Sequence, residues 1–310
     1  MKKLIDNTLT NNENCSPSVY VIIPNKNGKL HLSYSLPSLF NTKYDNYHVV
    51  LVDDASTDDT LSYVARDYQN VTILKNSGKK GFAGTVNTGI RYALSSGAAY
   101  IAVFNSDIKV LPEWLNMVLP IFAQEQNVGL VGFTEITKER EELFYDFTDN
   151  GPTVSYNNVR RLAGCLYLSS DAAFNKIGLF DEDYFMYGED NDFFFRLNTA
   201  GFRLLETNVP VWHYGEGSSQ NNKLLPTWLA YRNALRFSIK NESIFGVLRM
   251  ILSLINQGCN PFLKRPPNHP VFRRMRRYNP VFNIFLILGS CVWNMRHLVS
   301  TLKSRVVRIS

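Results

Sequence analysis

Four acids and a histidine occupy the positions where this sequence is best equipped for chemistry. Asp54 ends "VVLVDD", Asp107 ends "YIAVFNSD", Glu189 and Asp190 sit in "YGEDNDFFF", and His213 sits in "VWHYGEG". A hard cation bridging two phosphates needs only one or two protein carboxylates, since substrate oxygens and water complete its shell. Asp107 suits that task, and His213 adds a nitrogen donor if the cation is borderline, as manganese is. Taken alone, His213 reads better as a histidine buried beside Trp212. Asp190 follows Glu189 at the start of a helical pattern, where an acid serves either as a general base or as a helix cap. The other common chemistries are missing from the sequence: no Walker phosphate loop, no glycine fingerprint after the first strand, no nucleophile elbow and no zinc-ligand cluster. Cys15, Cys165, Cys259 and Cys291 lie far apart, which suits a reducing compartment and simple burial.

The elements that must position these groups alternate. Apolar runs at 19–23, 47–52, 71–75, 100–104 and 128–133 read as strands, and 30–41, 58–69, 83–96 and 112–125 read as amphipathic helices. Continuous apolar strands alternating with helices imply a parallel sheet covered on both faces. Ligands of such sheets bind beyond the carboxyl ends of the strands. Asn25, Asp53, Asp54, Asn76 and Asp107 all fall just past strand ends, so together they point to one crevice, although each alone is an ordinary turn former. Ser56 or Thr57 is expected to cap the second helix and Pro112 to enter the first turn of the fourth. Residues 134–161 show no clean period and read as a covering segment. Beyond them, 162–169 reads as a strand, a helix starts near Glu189 and ends at Gly201, and "FRLLE" and "VPVWHY" read as two short strands. Asp192 and Arg196, four apart, are expected to form a surface ion pair.

Bulk composition adds a division of charge. The 310 residues are 45% hydrophobic, enough for one large core with an appendage. The net charge is +6, but Asn260–Ser310 holds ten Lys/Arg and no Asp/Glu, leaving a balance of −4 on the rest. The first eighteen residues lack the apolar core of a signal peptide and read as a polar tail. The uncharged run from Tyr278 to Met295 is 18 residues long and interrupted by Asn279, Pro280, Asn283 and Asn294. It falls short of a spanning helix. A helix lying in a membrane interface or packed on the body is expected, with the basic residues facing an anionic leaflet. A dimer interface is the plainer alternative. No nucleic-acid-binding motif is present.

In order and spacing, "VIIPNKNG", "LVDDASTDDT", "NSGKKGFAGTVNTGI", "VFNSDI", "FDEDYFMYGEDNDFFFRLNTAGF" and "VWHYGEGS" resemble the inverting family 2 glycosyltransferases, and among them the rhamnosyltransferase-like subset of cell-surface polysaccharide assembly. The resemblance runs from about Val19 to Gly217. It implies an α/β, GT-A nucleotide-sugar-binding fold: a mostly parallel central sheet flanked by helices, followed here by a helical, basic C-terminal extension. The implied division is a tail at 1–18, a nucleotide-sugar-binding half at 19–133, an acceptor and catalytic half at 134–225, and a membrane-associating extension at 226–310. It further implies that Asp54 binds the nucleobase beside Asp53, Pro24 and Asn25, and that Lys79, Lys80, Gly81 and Asn87 border the nucleotide. Asn105 and Ser106 would line the donor, Asp107 and His213 would hold Mn2+ or Mg2+, and Asp190, with Glu189 beside it, would be the catalytic base. Where the family's metal motif begins with an acid, this chain has the neutral Asn105. The implied activity is metal-dependent transfer of a hexose or rhamnose from a UDP- or dTDP-sugar to a glycan acceptor, lipid-linked, at the cytoplasmic face of a membrane. The alternative is a catalytically degenerate nucleotide-sugar binder or membrane scaffold. A nucleotidyltransferase would need a glycine- and arginine-rich loop after the first strand, and "PNKNGKLHLS" is not one. Oligomeric state is left open.

Overall fold

The computed structural model describes residues 3–4, 16–149, 153–215, 224–260 and 278–304. Cys15, most of the expected N-terminal tail, Glu216–Ser218 and the arginine-rich stretch 261–277 lie outside the described residues, as does the side chain of Cys259. The chain divides into two compact units. The first comprises Met1–Glu182 and Phe193–Ser218; the second comprises Asp183–Asp192 and Ser219–Ser310.

Among the described residues the first unit carries all the strands: β1 (Lys3–Leu4), β2 (Val19–Asn25), β3 (Tyr47–Asp53), β4 (Thr72–Lys75), β5 (Tyr100–Phe104), β6 (Ile108–Lys109), β7 (Val128–Thr137), β8 (Ser155–Val159), β9 (Leu166–Ser170) and β10 (Arg203–His213). Its helices are α1 (Lys29–Phe40), α2 (Thr60–Asp67), α3 (Gly81–Ser95), α4 (Trp114–Gln124), α5 (Glu142–Asp149) and α6 (Asp171–Ile177), while α7 (Glu189–Thr199) begins in the second unit and continues in the first. One sheet runs β1-β8-β10-β7-β9-β5-β2-β3-β4, with β6 added against β10. β2 pairs in parallel with β3 and β5, β3 with β4, and β7 with β10, whereas β9 lies antiparallel between β5 and β7. The strands β2, β3, β4, β5, β7 and β10 therefore run one way and end at one edge. From β2 the chain steps outward to β3 and β4, then returns to the other side of β2 as β5, so the strand order reverses between β2 and β5.

Strand alternation splits the core. Val19, Val21 and Ile23 face a cluster with Leu32, Leu36 and Leu39 of α1 and Trp114, Leu115 and Val118 of α4. Tyr20 and Ile22 face Ala83, Val86 and Ile90 of α3, with Phe174 of α6 and Phe193, Phe194 and Leu197 of α7. Side chains of period two on strands buried on both faces produce the continuous apolar runs of the sequence. Gly89 allows α3 to lie close on the sheet: a Cβ there would come within 2.3 Å of Ile22 Cγ2.

The structure differs from the sequence reading in four places. Helix α2 starts at Thr60, and it is Asp58 rather than Ser56 or Thr57 that accepts from the Thr60 N–H, at 3.2 Å; Ser56 is drawn instead to the Asn27 N–H, at 2.8 Å. Pro112 stands before α4, which begins at Trp114. Within residues 134–149 and 153–161, where the sequence shows no clean period, β7 continues to Thr137, and α5 and β8 follow. The two expected short strands at 202–214 are one strand, β10, whose register against β7 shifts between Glu206 and Pro210. That irregularity accommodates Pro210 in a paired strand.

The second unit is helical: α8 (Leu224–Asn241), α9 (Ile244–Cys259), α10 (Pro280–Arg296) and α11 (Leu298–Lys303), together with Asp183–Asp192. Its apolar core is small, Tyr231, Leu254, Leu286 and Ile287. Tyr184, Leu229, Ala230 and Leu235 are also buried, and so are many polar side chains: Arg232, Asn233, Arg236, Lys240, Asn283, Ser290 and Asn294.

Candidate functional site

In the first unit, the candidate residues gather at the carboxyl edge of the sheet, around the β2/β5 reversal. Asn25 ends β2, Asp53 ends β3, and Asn105, Ser106 and Asp107 follow β5. A Cβ on Gly28 would lie 2.1 Å from Asn25 Oδ1 and 3.7 Å from Ser106 Oγ, so the loops after β2 and β5 meet there. Asp53 accepts from Asn25 Nδ2 at 3.3 Å and from the Ser56 N–H at 3.0 Å, which fixes the β3 turn to the end of β2. Asn25 Oδ1 and Asn105 Oδ1 are buried acceptors without a hydrogen-bond partner. Buried acceptors of this kind commonly mark the place of a water, ion or ligand.

Asp54 has a defined structural task. Its Oδ1 accepts from the Lys80 N–H at 2.7 Å and from Asn76 Nδ2 at 3.0 Å, and its Oδ2 accepts from the Gly81 N–H at 3.1 Å. It therefore caps the start of α3 from a different strand, satisfying amides that the helix leaves free, and holds the 76–81 loop. Asn87 is likewise spent. It donates to Phe180 O at 2.8 Å and Glu182 Oε1 at 2.9 Å and accepts from the Phe180 N–H at 3.0 Å. Its amide ties α3 to the 180–182 segment. Lys79 is exposed, and Lys80 Nζ lies 3.4 Å from Thr88 Oγ1.

The densest cluster is set by strand register. The antiparallel pairing of β6 with β10 puts Ile108 opposite His213, and the Tyr214 N–H donates to Asp107 O at 3.0 Å. Asp107 and His213, 106 positions apart, are thereby brought side by side, with Asp107 Oδ2 3.3 Å from His213 Nε2. Parallel pairing of β7 puts Thr137 opposite His213. Glu135, two residues back and so on the same face, reaches His213 Nδ1 at 2.5 Å. Burial works against a charge on His213, but the hydrogen bonds to Asp107 and Glu135 outweigh it and push its pKa up to about 9. The same bond to His213 holds Glu135 below the usual carboxylate range. Cys165 sits beside Glu135 and His213. Burial, with the charges of Glu135 and Asp107, raises its thiol far above the ordinary value, so it packs as a neutral side chain. The carboxylate of Asp107 and the imidazole of His213 are an oxygen-and-nitrogen donor pair of the kind that suits a hard or borderline divalent cation. Glu135 was not a sequence candidate. It lies where β7 leaves the core and its burial pattern turns from buried to exposed, so no periodic signal marks it.

In the second unit, the Asp183–Asp192 segment carries Glu189 and Asp190. Phe185, Tyr187 and Gly188 have φ of 62°, 70° and 95°, left-handed values that the two aromatic residues adopt only under constraint. Helix α8 supplies the constraint. Asn233 Nδ2 donates to the carbonyls of Tyr184, Met186 and Tyr187 at 3.0, 2.8 and 2.5 Å. Arg232 donates to the carbonyls of Asp183 and Tyr184, and Arg236 pairs with Asp183 at 2.9 Å. Asp192 is fully buried and bonded to Lys240 at 2.9 Å and Asn241 at 3.2 Å. The expected surface ion pair of Asp192 with Arg196 is thus corrected: Arg196 is itself buried and donates to the carbonyls of Ile177 and Leu179, because both residues fall on inward faces of α7. Glu189 is buried with Oε2 unpartnered, and desolvation, with the Asp190 charge adding to it, pushes its carboxyl up to about 8. Asp190 is half-buried, and its Oδ1 accepts from the Asn191 N–H at 2.7 Å.

Comparison with known proteins agrees with this architecture. The profile described as "Glycosyl transferase family 2" matches residues 20–181. An uncharacterized glycosyltransferase of Haemophilus influenzae is 29% identical over 133 residues, 42% of this chain and 40% of that protein. A chondroitin synthase of Escherichia coli is 24% identical over 232 residues, 60% of this chain and 33% of that protein. The N-acetylglucosaminyl-diphospho-decaprenol L-rhamnosyltransferase of Mycobacterium tuberculosis is 26% identical over 217 residues, 58% of this chain and 69% of that protein. The matched stretch thus spans less than half of the first two relatives. Among solved structures, a mannosyltransferase of Pyrobaculum calidifontis in complex with GDP-mannose and Mn2+ superposes with a TM-score of 0.55 at 16% identity, covering 91% of this chain and 75% of that one. TarS of S. aureus superposes with a TM-score of 0.58 at 14% identity, covering 92% and 83%. At these identities the superpositions establish the fold.

Proposed function

The chain belongs to glycosyl transferase family 2, and on that premise we propose that it moves one sugar, hexosyl or rhamnosyl, from a UDP- or dTDP-linked donor to a lipid-linked glycan acceptor, inverting the anomeric carbon. One observation carries the reading: Asp107, Glu135 and His213, distant in sequence, meet at the edge where α/β sheets bind ligands. Neighbours in fold support a nucleotide-sugar donor, since TarS has been solved with UDP-GlcNAc and the Pyrobaculum enzyme with GDP-mannose and Mn2+. The mycobacterial relative's decaprenol-linked substrate supports the acceptor class.

In this reading Asp107 and His213, with the Asn105 oxygen, hold Mn2+ or Mg2+, and Glu135 orients His213 through Nδ1. A divalent ion bound there supplies Lewis-acid neutralisation of the leaving diphosphate. Asp54 holds the loop that borders the nucleotide, and Lys79 and Lys80 on that loop lend positive charge to the phosphates. Asp190 takes the proton of the acceptor hydroxyl as its oxygen bonds to the anomeric carbon and the bond to the diphosphate breaks. Burial and the Asp190 charge raise the Glu189 carboxyl, and Asp190, the more exposed of the two, is the member assigned as the base.

Calorimetry of UDP- and dTDP-sugars with and without Mn2+ tests the donor half, and Asp107→Ala is expected to abolish the metal-dependent gain in affinity. Asp190→Asn should retain donor binding while transfer falls by about 10²–10⁴-fold; near-native transfer by that variant would refute the assignment. Asn105, neutral at the head of the metal motif, favours a second reading as a nucleotide-sugar binder without turnover. Donor hydrolysis in the presence of Mn2+ separates the two.

A further inference from the structure

Helix α10 buries polar side chains and exposes apolar ones: Asn283, Ser290 and Asn294, beside the buried Leu286 and Ile287, are each no more than 1% exposed, whereas Val281, Ile284, Phe285, Leu288, Val292 and Met295 are 43–67% exposed. At 3.6 residues per turn those six side chains fall within an arc of about 100°. The inward polar groups are bonded within the unit. Asn283 donates to Gly258 O and accepts from Tyr231 Oη, Ser290 donates to Leu286 O, and Asn294 donates to Arg232 O. Helix α11 repeats the inversion, with Thr301 buried against Arg236 while Leu298, Val299 and Leu302 stand outside. On α9, which packs beside α10, Ile244, Phe245, Leu248, Leu252 and Ile255 are 45–76% exposed and again share an arc of about 100°. Of the large apolar side chains exposed among the described residues, all but Leu30 and Tyr145 belong to this unit.

A polar interior with an apolar exterior is stable where the surroundings are themselves apolar, and so large a patch is rare on a protein surrounded by water. Two occupants are plausible in chemistry, a lipid surface and a second copy of the chain. Charge decides between them. From Ser243 to Ser310 there are eleven Lys/Arg and no Asp/Glu. Among the described residues Arg249, Arg296 and Lys303 stand exposed on these helices, and a two-fold contact through this face would set those cations against their own copies, since an isologous interface repeats the same patch. An anionic headgroup layer complements it. No helix among the described residues is long and apolar enough to span a bilayer, and 17 residues of α10 reach about 25 Å against a hydrocarbon core of about 30 Å. The helices accordingly lie in the plane of the interface.

The geometry points to a monotopic membrane face: the outward sides of α9, α10 and α11 sink into the headgroup–acyl boundary of an anionic bilayer, with Arg249, Arg296 and Lys303 at the phosphate level. This surface does not depend on the transfer chemistry, and lipid binding reads it without donor or acceptor. The test is flotation of the full chain with vesicles of phosphatidylcholine alone and of phosphatidylcholine mixed with phosphatidylglycerol, at low and high salt. Wild type should float with the mixed vesicles, more weakly at high salt. Leu252→Glu combined with Phe285→Glu, both solvent-facing, should lower binding by at least about tenfold with the thermal midpoint unchanged. Arg249→Gln combined with Lys303→Gln, which leaves every apolar residue in place, should weaken binding to the mixed vesicles at low salt only. Absence of wild-type flotation with mixed vesicles would overturn the inference. So would equal flotation of the glutamate variant, or a lipid-free dimer, seen by light scattering, that the same variant dissolves while vesicle binding stays absent.

Discussion

Truncating Asn233 to alanine removes the side chain that fixes the Asp190 segment to α8. One amide serves the Tyr184, Met186 and Tyr187 carbonyls, and Arg232 donates to its Oδ1 at 2.8 Å. Tyr184 O keeps a second donor from Arg232 at 2.6 Å, so the loss falls on Met186 O and Tyr187 O. A buried acceptor stripped of its donor costs about 1–3 kcal/mol, so about 2–6 kcal/mol is at stake for the two. Relaxation of Phe185 and Tyr187 from their left-handed φ values returns about 1–2 kcal/mol each. At the midpoints about 4 kcal/mol is lost and about 3 kcal/mol returned, so the net expectation for Asn233→Ala is a destabilisation of about 1 kcal/mol. The assay is urea denaturation together with amide hydrogen exchange over residues 184–190. The midpoint should fall and those amides should lose protection before the rest of α8. Asn233→Asp, which keeps an acceptor for Arg232 but turns a carboxylate toward three carbonyl oxygens, should be at least as damaging. A change within about 0.5 kcal/mol, the range of an ordinary surface substitution, with unaltered exchange would refute the clamp.

Glu189 makes stability pH-dependent, since its carboxyl is raised from 4.5 to about 8 by burial. Below pH 4.5 folded and unfolded chains both hold the proton and the favourable contribution is complete; it is lost as pH rises toward 8, because only the unfolded chain releases the proton. Glu189→Gln should flatten the thermal midpoint over that window relative to wild type, and parallel profiles would count against a buried neutral acid. Asp54→Ala should cost about 1–2 kcal/mol by removing the cross-strand cap of α3, read as a lower urea midpoint, and should weaken donor binding in calorimetry; an unchanged midpoint would show that the amides of Lys80 and Gly81 find other partners.

The strands and their terminal acids were legible because strands buried on both faces leave unbroken apolar runs, and the first polar residue after such a run marks the carboxyl edge. Asp54 and Asp107 were found that way. What each acid touches was not legible. For Asp54 and Asn87 the sequence shows none of the hydrogen bonds to Lys80, Gly81, Phe180 and Glu182 that hold the loop before α3 and the 180–182 segment. Glu135 went unseen because β7 beyond Phe133 leaves the core and with it the hydrophobic period. Asp192 and Arg196 were misread because four-residue spacing on a helix says only that two side chains share a stripe, not whether that stripe faces water.

The sequence by itself determined the layered α/β class, the single edge on which the strand-terminal acids emerge, and the concentration of positive charge after Ser243, since each depends on local period and composition. The tertiary structure alone decided that β6 and β7 bring Asp107 and Glu135 to opposite nitrogens of His213, that α8 grips a strained Asp190 segment, and that α10 turns its asparagines inward. These are contacts between residues up to about a hundred positions apart, and a helix period shows two faces without saying which neighbour each will meet.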